Sequence, residues 1–189
     1  MLARFAGTST WTFRLAVGAL ALTAAPTLAG PHPEAGLRTE FLATLRVPTD
    51  PAQVIARDLT IINVPGDREG FIRGPRIKGK PIPPCADWLT ILPGGRNLHT
   101  DVRCTIRTND DSLIYVEYPG AFVWNDAALA KCQAGRLLDG SDLYFRIQPR
   151  FRAGAGRYAW LNGVVAVGQM TALKCGSGSY TEYDIYVVR

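Results

Sequence analysis

Asp101 and Arg103 stand two residues apart in "DVR", and Tyr158, Trp160 and Asn162 alternate through "YAWLN". On an extended chain, residues two apart share a face. A carboxylate would then lie beside a guanidinium, and a phenol beside an indole and a carboxamide. Such a set can move a proton on a small organic molecule without a metal. Asp101 would take the proton, Tyr158 would give one, and Arg103 would steady developing negative charge. Trp88 and Trp160 would form walls, with Asn162 holding a polar end of the ligand. Arg146, in the alternating row Tyr144, Arg146, Gln148 and Arg150, adds a fork that can grip a carboxylate or phenolate. His99 suits a general base by residue type but sits beside a turn, where histidines are commonly just exposed.

Other chemistries lack their residues. No serine lies in a nucleophile elbow, and no Walker loop, dinucleotide fingerprint or zinc-protease motif occurs. Cysteines 85, 104, 132 and 175 form no Cys-x-x-Cys pair, and the only histidines are His32 and His99. Neither a metal nor a cofactor is expected.

The elements that position these residues begin after a leader. Arg4 and Arg14 precede the apolar run "LAVGALALTAA", which has signal-peptide length and is too short to span a bilayer. The expected organisation is a signal peptide over 1–29, a flexible Pro-rich segment over 30–39, and one domain over 40–189. Removing residues 1–29 takes two arginines and no acid, so the formal charge falls from +5 to +3. That modest excess, with no Lys/Arg cluster, argues against nucleic acid as a partner. Stable membrane insertion is not expected either, and a homo-oligomer is left open. The destination is extracytoplasmic, secreted or periplasmic, and four cysteines there suggest two disulfides.

Strand follows strand along the domain, from "TEFLATLRV" to "TEYDIYVVR", with Gly, Pro, Asn or Asp between most of them. One segment, "NDAALAKCQAG", reads as a short helix capped by Asp126 and ended by Gly135. The fold class is all-β, a single-domain antiparallel sandwich or closed barrel; closure removes sheet edges. "PGGR" at 93–96 is a hairpin turn, and opposed residues there have numbers summing to 189. Cys85 then faces Cys104, leaving Cys132 for Cys175 by elimination. The following turn, "TNDDS", sets Arg103 near Glu117 and Thr105 near Tyr115. One face of this meander collects Trp88, His99, Asp101, Arg103, Tyr115 and Glu117. The other collects Val102, Cys104, Ile106, Ile114 and Val116. Either the apolar face is core and the charged face solvent, or the polar face lines a ligand-holding lumen.

The blocks "GFIRGPRIKG", "DW", "DVRCTIRTNDDSLIYV", "YFRIQPRF" and "RYAWLNGVVAVG" occur in that order. In this the chain resembles domain-of-unknown-function family 3237, also called uncharacterised protein family 0311, from about Glu40 to Val188. The resemblance implies an antiparallel β-barrel with a cavity. It also implies kinship with fungal enzymes that close oxygen-containing rings by adding a hydroxyl across an alkene. Departures from the family pattern, "PPCADW" and Cys104, coincide with the first disulfide and suit an exported branch. Three functions follow: a cofactor-free enzyme on a small organic molecule, a non-catalytic small-ligand barrel, or a structural secreted protein with no site.

Overall fold

The computed structural model describes residues 36–189, so the expected signal peptide and residues 30–35 lie outside the described residues. Twelve strands, one helix and one 3-10 turn follow in order. They are β1 Thr39–Pro48, β2 Gln53–Ala56, β3 Leu59–Asn63, β4 Phe71–Arg73, β5 Lys78–Ile91, β6 Asn97–Thr108 and β7 Leu113–Val123. Helix α1, Asp126–Gln133, leads to β8 Leu138–Asp139, β9 Tyr144–Ile147 and β10 Arg150–Ala153. The 3-10 turn Ala159–Gly163 precedes β11 Ala166–Lys174 and β12 Tyr180–Val188.

Pairing runs β7–β9–β11–β12–β1–β4–β5–β6 and back to β7, which closes an eight-membered antiparallel barrel. The hairpin arithmetic holds where the turn sets register: Thr90 pairs with His99, Asp87 with Val102 and Ala86 with Arg103. A bulge between Ile82 and Ala86 then shifts the ladder. On the other side Arg103 meets Glu117 and Thr105 meets Tyr115. Two strands change partner along their length. β5 pairs with β4 at Lys78–Gly79 and with β3 at Ala86–Thr90, while β7 passes from β10 to β9 at Gly120. A Cβ at Gly120 would lie 2.6 Å from Thr100 Cγ2 and 2.8 Å from Arg146 O, so only glycine lets the strands cross there.

The apolar face of the meander points inward. Val102, Cys104, Ile106, Ile114 and Val116 are all buried, and Tyr118, Ile147 and Ile185 join them. Cys85–Cys104 bridges β5 to β6 with Cα atoms 4.1 Å apart, and Cys132–Cys175 ties α1 to the end of β11. Helix α1 starts one residue earlier in its capping than the sequence suggests. Asn125 accepts from the Ala128 amide at 2.8 Å, and Asp126, already helical, pairs with Arg96. Gly135, at φ 65°, ends the helix as expected.

"YAWLN" is not a strand. Tyr158 and Leu161, three apart, are buried at one end of the barrel, the spacing of a 3-10 turn. Asn162 stabilises the turn by acting as a strand partner: its carboxamide accepts from the Ala153 amide at 2.8 Å and donates to the Ala153 carbonyl at 2.9 Å.

Candidate functional site

A barrel of eight strands has an interior just wide enough for side chains or one small ligand. Here both occur, in different halves. Toward the 3-10 turn, the lumen is packed with fully buried side chains, Ile106, Ile114, Ile147 and Ile185 among them. Toward the β6 start and the β11–β12 loop, a cavity of about 780 Å³ remains, opening past Pro51, Ala52 and Ser177.

Its wall is an aromatic ladder. Trp124 meets Phe122 edge-on at 5.2 Å, and Phe122 stacks on Phe145 at 4.8 Å. Phe145 meets Tyr183 at 5.2 Å, and Tyr183 meets Tyr118 at 5.8 Å, both edge-on. The period-two geometry of β7 and β12 produces this ladder, because Tyr118 and Phe122 share a face, as do Thr181 and Tyr183. Leu89, Leu98, Val102 and Leu173 complete the apolar lining.

One carboxylate reaches the floor of this cavity. Asp87 pairs with Val102 in the β5–β6 ladder and so points inward, among Ile62, Leu89 and Tyr118. Burial raises its pKa from 3.8 to about 6; the Thr100 hydroxyl and the Asp101 amide oppose that rise without cancelling it. The Asp101 N–H donates to Asp87 Oδ1 at 2.9 Å. Thr100 Oγ1 lies near the same carboxylate and is buried, but meets full hydrogen-bond geometry with no protein atom, Asp87 included. Burial, and then the Asp87 charge, push the Tyr118 phenol upward. Tyr183 is raised by burial, then by Tyr118 and Asp87. Both phenols stay neutral and able to donate, next to an acid that titrates near neutrality. At the rim, Arg68 is engaged by Asp50 and the Thr49 carbonyl, whereas Lys174 lines the cavity without an ion-pair partner among the described residues.

The residues singled out from sequence lie elsewhere. Asp101 and Arg103 form a 2.9 Å surface pair, and Arg103 sits 5.4 Å over the exposed Trp88 ring, all outside the wall. His99 is exposed beside its turn. Tyr158 donates to Asp110 at 3.2 Å at the filled end, and Trp160 lies under Arg76 at 3.6 Å. Arg146 donates to its neighbour's carbonyl and rests over Tyr144, in a shallow outer groove with Gln169 and Tyr186. The outer wall thus brings Trp88, Asp101 and Arg103 together, but none of these residues enters the cavity. The four cysteines are paired as the sequence indicates, and Cys132 and Cys175 sit on the cavity rim. Among the described residues, no three His, Cys, Asp or Glu side chains converge as a metal-ligand set.

Asp87 was legible but easily overlooked. The same hairpin arithmetic that sets Trp88 on the polar face sets its neighbour Asp87 on the apolar one, opposite Val102. A lone acid on an otherwise apolar face is the informative signal.

The fold and cavity define an antiparallel barrel with an open, aromatic-lined chamber. A family model described as "Protein of unknown function (DUF3237)" matches residues 37–188, and the chain belongs to that family. A UPF0311 protein of Rhodopseudomonas palustris is 33% identical over 92 residues, covering 49% of this chain and 60% of the relative. A second from the same species is 31% identical over 99 residues, covering 52% and 64%. The aligned part of this chain therefore spans under two thirds of those relatives. The crystal structure of a conserved R. palustris protein of unknown function superposes with a TM-score of 0.70 at 25% identity, covering 82% of this chain and 98% of that one. A β-barrel-like protein from Acinetobacter baumannii gives 0.64 at 27%, covering 82% and 97%. An enzyme from Penicillium herquei shares the fold, with a TM-score of 0.55 at 19% identity and coverage of 81% and 95%.

Proposed function

We propose that this chain is an extracytoplasmic barrel that takes a small, largely apolar aromatic molecule into its lumen and transfers a proton on it, with no cofactor. The observation that carries the reading is Asp87: a carboxylate at the floor of an aromatic chamber, with a pKa of about 6. A general base works best when its pKa lies near the operating pH, and burial supplies that here. The two disulfides support an oxidising compartment.

Ring closure by hydroxyl addition fits these groups. The substrate hydroxyl gives its proton to Asp87 as its oxygen bonds to one alkene carbon. The other alkene carbon takes a proton from the Tyr118 phenol, and Asp87 returns its proton to that phenol. The sum is an isomerisation that consumes no co-reactant. The aromatic ladder holds the reacting conformer, and a ligand seated in the chamber displaces the water that otherwise reaches the developing charge. Lys174 at the rim would meet a polar substituent. Asp87 and Tyr118 take here the roles that residue type alone suggested for Asp101 and Tyr158. A shared fold with an enzyme, at 19% identity, makes catalysis on this scaffold a natural reading and no more.

The test offers phenolic alkenes to the protein and follows them by chromatography at constant mass. Turnover should rise with pH through about 6 as Asp87 ionises, and Asp87→Asn should abolish it. Turnover by Asp87→Asn at the parent rate would remove the catalytic assignment. The predominance of apolar lining favours a second reading, a ligand carrier; saturable binding with the ligand chemically unchanged would select it.

A further inference from the structure

On the far side of the wall, the outer faces of β4, the start of β5 and the end of β6 carry charge of one sign. Strand pairing assembles this basic cluster, which the linear sequence gives no reason to expect. Ile72 and Thr108 are buried, so their strand neighbours Arg73 and Arg107 point outward. Register pairs Arg73 with Lys78, and Lys80 with Arg107. Like charges directly opposite on neighbouring strands repel. Two such pairs lie side by side, because Lys78 and Lys80 share a face of β5 roughly 7 Å apart along the strand. The counterions that would quiet this repulsion are few. Glu69 reaches Arg73 only at 3.9 Å, and Asp111 sits on the rim. Asp110 is already engaged by Thr108, Tyr158 and Arg157. Among the described residues, Lys78, Lys80 and Arg107 form no ion pair. The four cations line one concave groove of about 760 Å³.

We infer that this groove binds a soluble anion carrying several phosphate groups, each cross-strand pair of cations taking one of them. The geometry favours phosphate over a single carboxylate. A guanidinium forks onto two oxyanion oxygens while the paired ammonium supplies a point charge, and a multiply charged ligand neutralises both pairs at once. The concavity favours a compact ligand over a flat membrane, which would touch only the rim. Ligand binding removes the repulsion built into the free protein, so the site is more stable filled than empty. The groove is separate from the lumen, and its fate does not depend on the chemistry at Asp87.

Calorimetric titration of the full chain with linear tripolyphosphate tests this, with orthophosphate and phosphatidylglycerol vesicles as the other arms. Tripolyphosphate should bind, with affinity falling as salt is raised, and orthophosphate should bind at least about tenfold more weakly. Lys80→Ala/Arg107→Ala should weaken tripolyphosphate by about tenfold or more. Its melting temperature without ligand should equal or exceed the parent's, which shows that the variant is folded and the repulsion relieved. Arg73→Ala/Lys78→Ala should behave alike. Absence of tripolyphosphate binding, binding that both double variants retain, or binding to vesicles alone would each overturn the assignment.

Discussion

Asp87 on β5 and Asp101 on the neighbouring β6 face opposite sides of the barrel wall, and their surroundings give them different properties. Asp101 is half-exposed and meets Arg103, so its pair is worth on the order of 0–1 kcal/mol. Asp87 is held in an apolar chamber that disfavours its charge. Its folded pKa, about 6, exceeds its ordinary 3.8. The folded chain therefore keeps a proton that the unfolded chain releases, and stability falls as pH rises through that window. The full shift corresponds to on the order of 3 kcal/mol, and water reaching the carboxylate through the open mouth reduces it to about 2 kcal/mol. Asp87→Asn should thus be more stable than the parent at pH 7 by roughly that amount, with the advantage vanishing toward pH 4. Asp110, Asp139 and Asp142, whose pKa values are lowered mainly by hydrogen bonds from Thr108, Ser141 and Lys131, act in the opposite sense. The informative quantity is therefore the difference between the two proteins, by urea denaturation across that range. Asp101→Asn should shift it by no more than about 0.5 kcal/mol. A residue that costs stability yet occupies the chamber floor fits the role proposed for Asp87.

At the scale of elements, what could be read from sequence was whatever short-range rules determine. The "PGGR" turn fixed register across β5 and β6 from Ala86 to Ile91, and with it the Cys85–Cys104 bridge. Alternation separated the two faces correctly, but it could not say which face was inside, since either face of a closed sheet can look inward. Tyr158, Trp160 and Asn162 failed for a related reason. Five residues hold too little pattern to separate period two from period three, and what decides the turn is Asn162 reaching Ala153, nine residues away. Cys132–Cys175 is the element-scale contact that most affects the chamber, because it fastens α1 to the loop on the rim. It closes 43 residues against 19 for Cys85–Cys104. By chain entropy the longer closure is worth about 4 kcal/mol and the shorter about 3. Cys132→Ala/Cys175→Ala should lower the unfolding free energy by roughly 2–4 kcal/mol. Amide exchange should quicken most in α1 and residues 174–179, leaving β5–β7 protected. Uniform loss of protection over the barrel would contradict a local role for this tether.

Taken as a whole, the molecule is a barrel with one half of its lumen packed and the other half open, and this division explains why a polar lumen is unnecessary. Small-molecule sites are mostly apolar, with a few placed polar groups; under the proposed function Asp87, Tyr118 and Tyr183 would be those groups. An apolar ligand would complete a core the chain leaves unfinished between Phe122, Phe145 and Leu173. Binding should then raise the melting temperature with ligand concentration, as for any ligand of the folded state alone. It should also be reported by one tryptophan. Trp124 lines the chamber, whereas Trp88 and Trp160 stand under guanidinium groups on the outside. A hydrophobic aromatic probe should quench fluorescence in the parent and in a Trp88→Phe/Trp160→Phe variant alike, and should lose most of that response in Trp124→Phe. Phe122→Ala should weaken the probe by about 1–2 kcal/mol, since it removes the ring that joins Trp124 to Phe145. Quenching that survives loss of Trp124 would put the ligand on the outer wall, where the exposed aromatics and Arg103 lie, and would leave the chamber without a role.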